Sequence, residues 1–187
     1  LNGPTFIIFS DTLFDADLDL SDDSSDGCVF VKEVVDPSAY GVVQINSDGH
    51  ITAFIEKPKE PISNLAMVGM YYFKQGLSLA KEIKIILDQN IREKGEYQLT
   101  TALENLKNKN FKFAPYKINK WFDFGTPNNL LMSHAHILKE MVTKNPTFKN
   151  TIIKEPCFIS KGVVIEDSII GPNVSIGPGS VILNSTI

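Results

Sequence analysis

Asp11, the Glu56-Lys57 pair and Asp123 are the residues whose setting lends itself to chemistry. Asp11 follows, one residue on, an apolar run over residues 5–9, and in α/β sheets ligands gather at the carboxyl ends of strands. A carboxylate there offers the oxygen ligands that a magnesium ion prefers. A turn or helix-capping aspartate is the plainer reading, and on position alone the stronger one. Asp123 stands between Trp121 and Gly125, just ahead of Thr126-Pro127. A capping hydroxyl followed by proline is a helix start. The aromatic neighbours of Asp123 would shield it from water, and Gly125 would let a ligand approach the backbone. Lys57 precedes Pro58, which disfavours helical backbone at the residue before it. The sequence therefore predicts an extended Lys57 projecting from a strand end, a compact positive charge suited to a phosphate. Glu56 can accept hydrogen bonds from sugar hydroxyls. The alternative for this pair is a surface ion pair of little energetic value.

Other constellations fall away. Asp15, Asp17 and Asp19 have the early spacing of a calcium loop, but its sixth position is Leu20 instead of glycine and its twelfth is Asp26 instead of glutamate. His134 and His136 lie two apart in a helical stretch and so face different ways. No GxGxxG, nucleophile elbow or CxxC occurs. The two cysteines, Cys28 and Cys157, are far apart and give neither a disulfide framework nor zinc spacing, which makes a reducing cytoplasm the expected setting.

The elements that must position these residues alternate between strand and helix. Strands are expected over 5–9, 28–36, 40–46, 50–57, 65–73 and 111–118. The 5–9 run reads as covered on both faces, as in a parallel sheet. Ser47-Asp48-Gly49 joins two of the strands as a hairpin turn. Helices are expected over 77–91, 96–108 and from Thr126 to Val142. Residues 11–26 read as an acidic, solvated loop. From Ile153 onward an aliphatic residue recurs at 159, 165, 170, 176 and 182. This near-hexapeptide period marks a left-handed parallel β-helix, with Gly171, Gly177 and Gly179 at its tight turns.

The chain has 187 residues, 43% hydrophobic and 21% charged, which excludes disorder throughout. Its 18 basic and 22 acidic residues leave a net charge of −4, which argues against a nucleic-acid partner. No apolar run approaches the roughly 20 residues of a membrane span, so no membrane partner is expected. Because Leu1 opens the chain and Ile187 closes it inside a repeat, it reads as the middle and part of the tail of a longer protein.

Six patches together resemble the sugar-1-phosphate nucleotidylyltransferases. They are FIIFSD ending at Asp11, YGVV from Tyr40, EKP from Glu56, VGMYYF from Val68, GEYQLT from Gly95 and WFDFGTP from Trp121. The hexapeptide tail also occurs in many members. The resemblance implies an α/β fold: an incomplete Rossmann-like nucleotidyltransferase domain with a mixed sheet and flanking helices over 1–143. A linker over 144–150 and the start of a β-helix over 151–187 follow. It implies a nucleoside triphosphate and a hexose 1-phosphate as substrates, an NDP-sugar and pyrophosphate as products, and Mg2+ as cofactor. Asp11 and Asp123 would be the metal carboxylates, and Lys57 would hold the sugar phosphate. Glu56 would bind sugar hydroxyls, with the backbone at Gly41 and Gly69 lining the sugar pocket and Tyr71 and Glu96 as lesser contributors. Members open with a glycine-rich loop bearing an arginine, and none precedes Leu1, so the chain alone is expected not to turn over. Ser10 and Thr101 also depart from residues common in the family.

Two other functions compete. A non-catalytic sugar-phosphate or nucleotide-binding regulator would keep the same fold. A hexapeptide-class acyltransferase would need many coils and usually a histidine within them, and none lies between Ile153 and Ile187. The exposed coil end offers a route to a homo-oligomer.

Overall fold

In the computed structural model, residues 2–18, 20, 25–60, 62–93, 95–141 and 146–187 are described. Parts of the expected acidic loop and linker, and the expected helix end at Val142, lie outside them; within that expected loop, residues 12–15 form a strand instead. The chain divides into two units, Leu1–Phe122 and Asp123–Ile187. Among the described residues no helix is long and apolar enough to cross a membrane.

The first unit carries β1 (Thr5–Ile8), β2 (Thr12–Asp15), β3 (Gly27–Glu33), β4 (Gly41–Ile45), β5 (Ile51–Glu56), β6 (Leu65–Phe73), α1 (Gly76–Asp88), α2 (Leu99–Asn108) and β7 (Phe113–Lys117). It ends in β8 (Lys120–Asp123), whose last residue opens the second unit. Five strands run in the order β5-β4-β6-β3-β7, and β1 joins on β6. The sheet is mixed, because β3 is antiparallel to β6 and parallel to β7. β3 and β6 are buried along most of their length. Alternation along β3 sends Val29 and Val31 to one face, with Leu79, Ile86, Leu103 and Phe113. It sends Cys28 and Phe30 to the other, with Val68, Met70 and Ile118. A strand buried on both faces reads as a continuous apolar run, which is how β6 is legible from sequence.

β1 departs from its expected setting. It pairs antiparallel with β6, and Phe6 and Ile8 are 46% and 53% exposed. Apolar content alone does not say how many faces are covered. β1 shares one edge of β6 with β4: Val42 pairs with Ala66, and Ile8 with Met70. Between those pairings lies Gly69, at φ +79°.

The hairpin turn forms as expected, with Asn46 Oδ1 accepting from the N–H groups of Asp48 and His50. α2 begins three residues later than expected. Gly95, at φ +89°, turns the chain so that Glu93 and Glu96 exchange backbone hydrogen bonds, a geometry no helix admits.

Side chains of α2 cap the outer edge of β5. Glu104 Oε2 accepts from the Phe54 N–H at 3.1 Å, and Lys107 Nζ donates to the Thr52 carbonyl at 3.0 Å. The two also pair with each other. Together they occupy the donor and acceptor that an added strand would use. Glu104→Ala should therefore speed hydrogen exchange at the Phe54 amide about tenfold or more, with β3 amides as reference. Unchanged exchange at Phe54 would show that the cap contributes nothing to the edge.

The second unit begins with α3 (Pro127–Glu140), whose cap is the one expected: Thr126 Oγ1 accepts from the Asn129 N–H at 3.2 Å. Six short strands follow: β9 (Ile152–Ile153), β10 (Cys157–Ile159), β11 (Val164–Glu166), β12 (Ile169–Ile170), β13 (Val174–Ile176) and β14 (Val181–Leu183). They stack as three parallel pairs, with Ile153 on Ile170, Ile159 on Ile176 and Ile165 on Ile182. These are the positions that the hexapeptide spacing predicts. Ile159, Ile165, Ile170 and Ile176 are buried in the unit's core. The turns differ from expectation. Gly179 has φ +76°, matched one coil earlier by Gly162 at +79°, but the remaining left-handed turns fall at Asn150, Asp167, Asn173 and Asn184. Asparagine and aspartate tolerate that region better than other side chains. Gly171 serves close approach instead, since a Cβ there would lie 2.9 Å from the Ile187 carbonyl oxygen, and Gly177 meets nothing within 4 Å.

Candidate active site

The gap on the β6 edge between β4 and β1 is where several of the singled-out residues meet. Gly41 opens β4 directly opposite Glu56, the last residue of β5. A Cβ on Gly41 would lie 2.9 Å from Glu56 Oε2 and 2.4 Å from the Met67 methyl. Thr100, in the first turn of α2, donates its hydroxyl to Glu56 Oε2 at 2.7 Å. Tyr71 is 4% exposed. Burial, then the nearby Glu56 charge, push its phenol well above the ordinary value, so Tyr71 stays a neutral donor. Gly41, Glu56, Tyr71, Thr100 and Met67 thus form one cluster.

Lys57 follows Glu56 but is not extended. Its φ is +44°, and its N–H donates to the Tyr40 carbonyl at 3.1 Å. The proline restriction acts against the right-handed helix and leaves a left-handed turn open. With the backbone pinned to Tyr40 and Pro58 buried, the chain leaves the strand through that turn. Such a conformation costs about 1–3 kcal/mol and is concentrated at functional sites.

Asp11 lies in the turn between β1 and β2 and is exposed. That turn is clamped to β6 on both sides: the Phe9 N–H donates to the Gly69 carbonyl at 2.9 Å, and Thr12 Oγ1 donates to the Val68 carbonyl at 2.9 Å. Trp121 Nε1 donates in turn to Thr12 Oγ1 at 2.8 Å, and the Trp121 ring meets Tyr40 edge-on at 4.9 Å. The aromatic stretch before Asp123 is therefore tied to the segment after Asp11. Gly69 is buried, and the Phe9 ring fills the space beside its α-carbon, where a Cβ would come within 2.9 Å. Glu96 is exposed in the turn ahead of α2 and accepts from Gln98 Nε2 at 3.1 Å.

Asp123 is half-buried at the end of β8 and opens the second unit. Its Oδ1 accepts from the Gly125 N–H at 2.8 Å, its Oδ2 from Asn129 Nδ2, and its carbonyl from Ser133 Oγ at 2.9 Å. It therefore organises the start of α3, a role that sequence reasoning missed. Sequence reasoning also passed over Thr100, Met67, Phe9, Thr12 and Trp121 as site-builders, although Thr100 and Trp121 lie inside the quoted GEYQLT and WFDFGTP patches. Among the described residues no three His, Cys, Asp or Glu side chains converge as a metal cage.

The nucleotidyl transferase family model matches residues 7–140, and the bacterial transferase hexapeptide (six repeats) model matches residues 150–184. The chain belongs to the nucleotidyl transferase family. The bifunctional protein GlmU of Methanococcus aeolicus is 33% identical over 170 residues, spanning 89% of this chain and 40% of that protein. A glucose-1-phosphate thymidylyltransferase of Streptomyces antibioticus is 27% identical over 169 residues, spanning 80% of this chain and 46% of that protein. A UDP-glucose pyrophosphorylase solved with UDP-glucose superposes at a TM-score of 0.56 and 25% identity, covering 74% of this chain and 57% of that one. The chain therefore spans less than half the length of these two curated relatives.

Proposed function

We propose that the chain supplies the sugar-phosphate side of an enzyme that transfers a nucleotidyl group from a nucleoside triphosphate to a hexose 1-phosphate. A phosphate oxygen of the sugar 1-phosphate attacks the α-phosphorus in line. The new P–O bond forms as the bond to the bridging oxygen breaks, and pyrophosphate leaves. Such transfer depends on positioning and charge neutralisation. Glu56 accepts from the sugar hydroxyls, Lys57 pairs with the sugar phosphate, and the Tyr71 phenol stays protonated beside Glu56. The backbone at Gly41 and Gly69 and the Glu96 side chain complete the sugar pocket. The observation that carries this reading is the Glu56 carboxylate fixed between Gly41 and Thr100, next to a lysine on a strained turn.

Asp11 and Asp123 each offer hard carboxylate oxygens, donors that fit Mg2+ because that ion takes one or two carboxylates plus phosphate oxygens. When bound, the ion offsets negative charge on the phosphates. In Asp123 each carboxylate oxygen carries one hydrogen bond from the protein, which orients the group and leaves acceptor capacity. We also assign the parallel coil a left-handed winding and a role in homo-oligomer formation.

Isothermal titration of the chain with glucose 1-phosphate and other hexose 1-phosphates tests the reading. At least one should bind more tightly than free hexose or inorganic phosphate. Lys57→Ala should weaken that binding about tenfold to a hundredfold, the range for a lost charge-assisted hydrogen bond. No saturable binding of any hexose 1-phosphate would overturn the assignment.

A further inference from the structure

Thr100 is spent in an unusual way. Threonine in the first turn of a helix commonly bonds to nearby backbone. α2 has no side-chain cap at Gln98, yet the Thr100 hydroxyl crosses to β5 and donates to Glu56 Oε2. Thr100 is 7% exposed. It is held by the helix that buries Ala102, Leu103 and Leu106 in the core. The neighbouring Thr101 hydroxyl donates to Glu93 Oε1 at 2.7 Å, fixing the turn that carries Glu96. The first turn of α2 thus grips two carboxylates at once.

The grip bears on Glu56 specifically. A carboxylate is an acceptor only, with two oxygens to offer. One of them, Oε2, is committed to Thr100 and lies close against Gly41, where a Cβ would come within 2.9 Å of it. The other oxygen is then presented in a single orientation, and a carboxylate so fixed distinguishes one hydroxyl configuration from another. A freely rotating carboxylate would accept from whichever hydroxyl came near.

We propose that Thr100 is a positioning residue that sets which sugar hydroxyl Glu56 accepts from, and hence the selectivity of the hexose site. The inference rests on the sugar-phosphate reading of Glu56. It predicts that selectivity is encoded partly in a helix residue that need not touch the sugar.

The test is titration calorimetry with the best-binding hexose 1-phosphate and its series of monodeoxy analogues, against wild-type chain, Thr100→Val and Thr100→Ser. Wild-type chain should lose affinity sharply for one analogue of the series. Thr100→Val keeps the shape and removes the donor. It should bind the parent compound about tenfold more weakly, and its ratio between parent and that analogue should fall close to one. Thr100→Ser should restore both the affinity and the ratio. A purely structural role for Thr100 would lower affinity for all compounds alike and leave the ratio intact, which would overturn the proposal. Equal affinity of wild type and Thr100→Val for the parent would overturn it as well. If no hexose 1-phosphate binds wild-type chain, the reading of the site itself fails, a result distinct from the previous two. Should Thr100→Val melt early, Thr100→Cys, a weaker donor of similar size, takes its place. An unchanged ratio in Thr100→Cys counts equally against the proposal.

Discussion

Phe113→Ala should lower the stability of the first unit by about 3–5 kcal/mol, the range for emptying a buried aromatic site. Phe113 is fully buried. Its ring meets Phe54 edge-on at 5.2 Å, Phe73 at 6.0 Å and Phe111 at 4.9 Å. The position lies on β7 opposite Gly27 of β3, and a Cβ on Gly27 would come within 2.7 Å of the Tyr72 carbonyl oxygen and 3.3 Å of the Phe113 ring. The absence of a side chain on Gly27 thus suits both the Tyr72 backbone on one side and the Phe113 ring on the other. Truncation removes the area term and three aromatic pairings together, and the surrounding sheet is too rigid to close the void. Against a typical total of about 5–15 kcal/mol, the loss is a large share. Trp121, the single tryptophan, lies in this unit and reports its urea unfolding by fluorescence. A loss under about 1 kcal/mol would show that the aromatic cluster does not carry the core.

Gly41→Val should weaken hexose 1-phosphate binding about tenfold to a hundredfold, corresponding to the ~1–3 kcal/mol of an overpacked site. The added Cβ alone would stand 2.4 Å from the Met67 methyl and 2.9 Å from Glu56 Oε2. The methionine end can move. The carboxylate can move only by giving up its bond to Thr100, and that displacement is what the titration would read. Gly177→Ala is the matched control, because a Cβ there meets nothing within 4 Å and the backbone needs no positive φ. Wild-type affinity in the Gly41→Val chain would remove Gly41 and Glu56 from the sugar site. A Gly177→Ala chain that lost affinity equally would point to a general effect of replacing glycine.

Legibility from sequence followed the range of the interactions involved. β6 was readable to the residue because burial on both faces leaves an unbroken apolar run. The start of α3 was readable because Thr126 and Pro127 act on their immediate neighbours. The coil was readable because its inward isoleucines repeat. Features set by partners distant in sequence were not. The antiparallel, half-exposed setting of β1 depends on which edge of β6 remained open. The left-handed Lys57 depends on its backbone tie to Tyr40 across the hairpin. Thr100 reaches a residue 44 positions away. Glycine content likewise misjudged the coil turns, since asparagine and aspartate fill most of them. Of the candidate site, Gly41, Glu56 and Tyr71 were legible as residue types, and the fold brings them together. The supports that orient them emerged only with the fold.

The coil turns carry a final consequence. Asn150, Asp167 and Asn184 sit above one another with φ of +46°, +49° and +48°, and Asn150 Nδ2 donates to Asp167 Oδ1 across a separation of 17 residues. Length along this tail is therefore quantised. A single residue inserted within a strand would turn that strand's inward isoleucine outward, whereas duplicating a whole revolution would leave each side chain facing as before. Protein engineers can extend such a tail as one adds links to a chain, and evolution meets the same arithmetic.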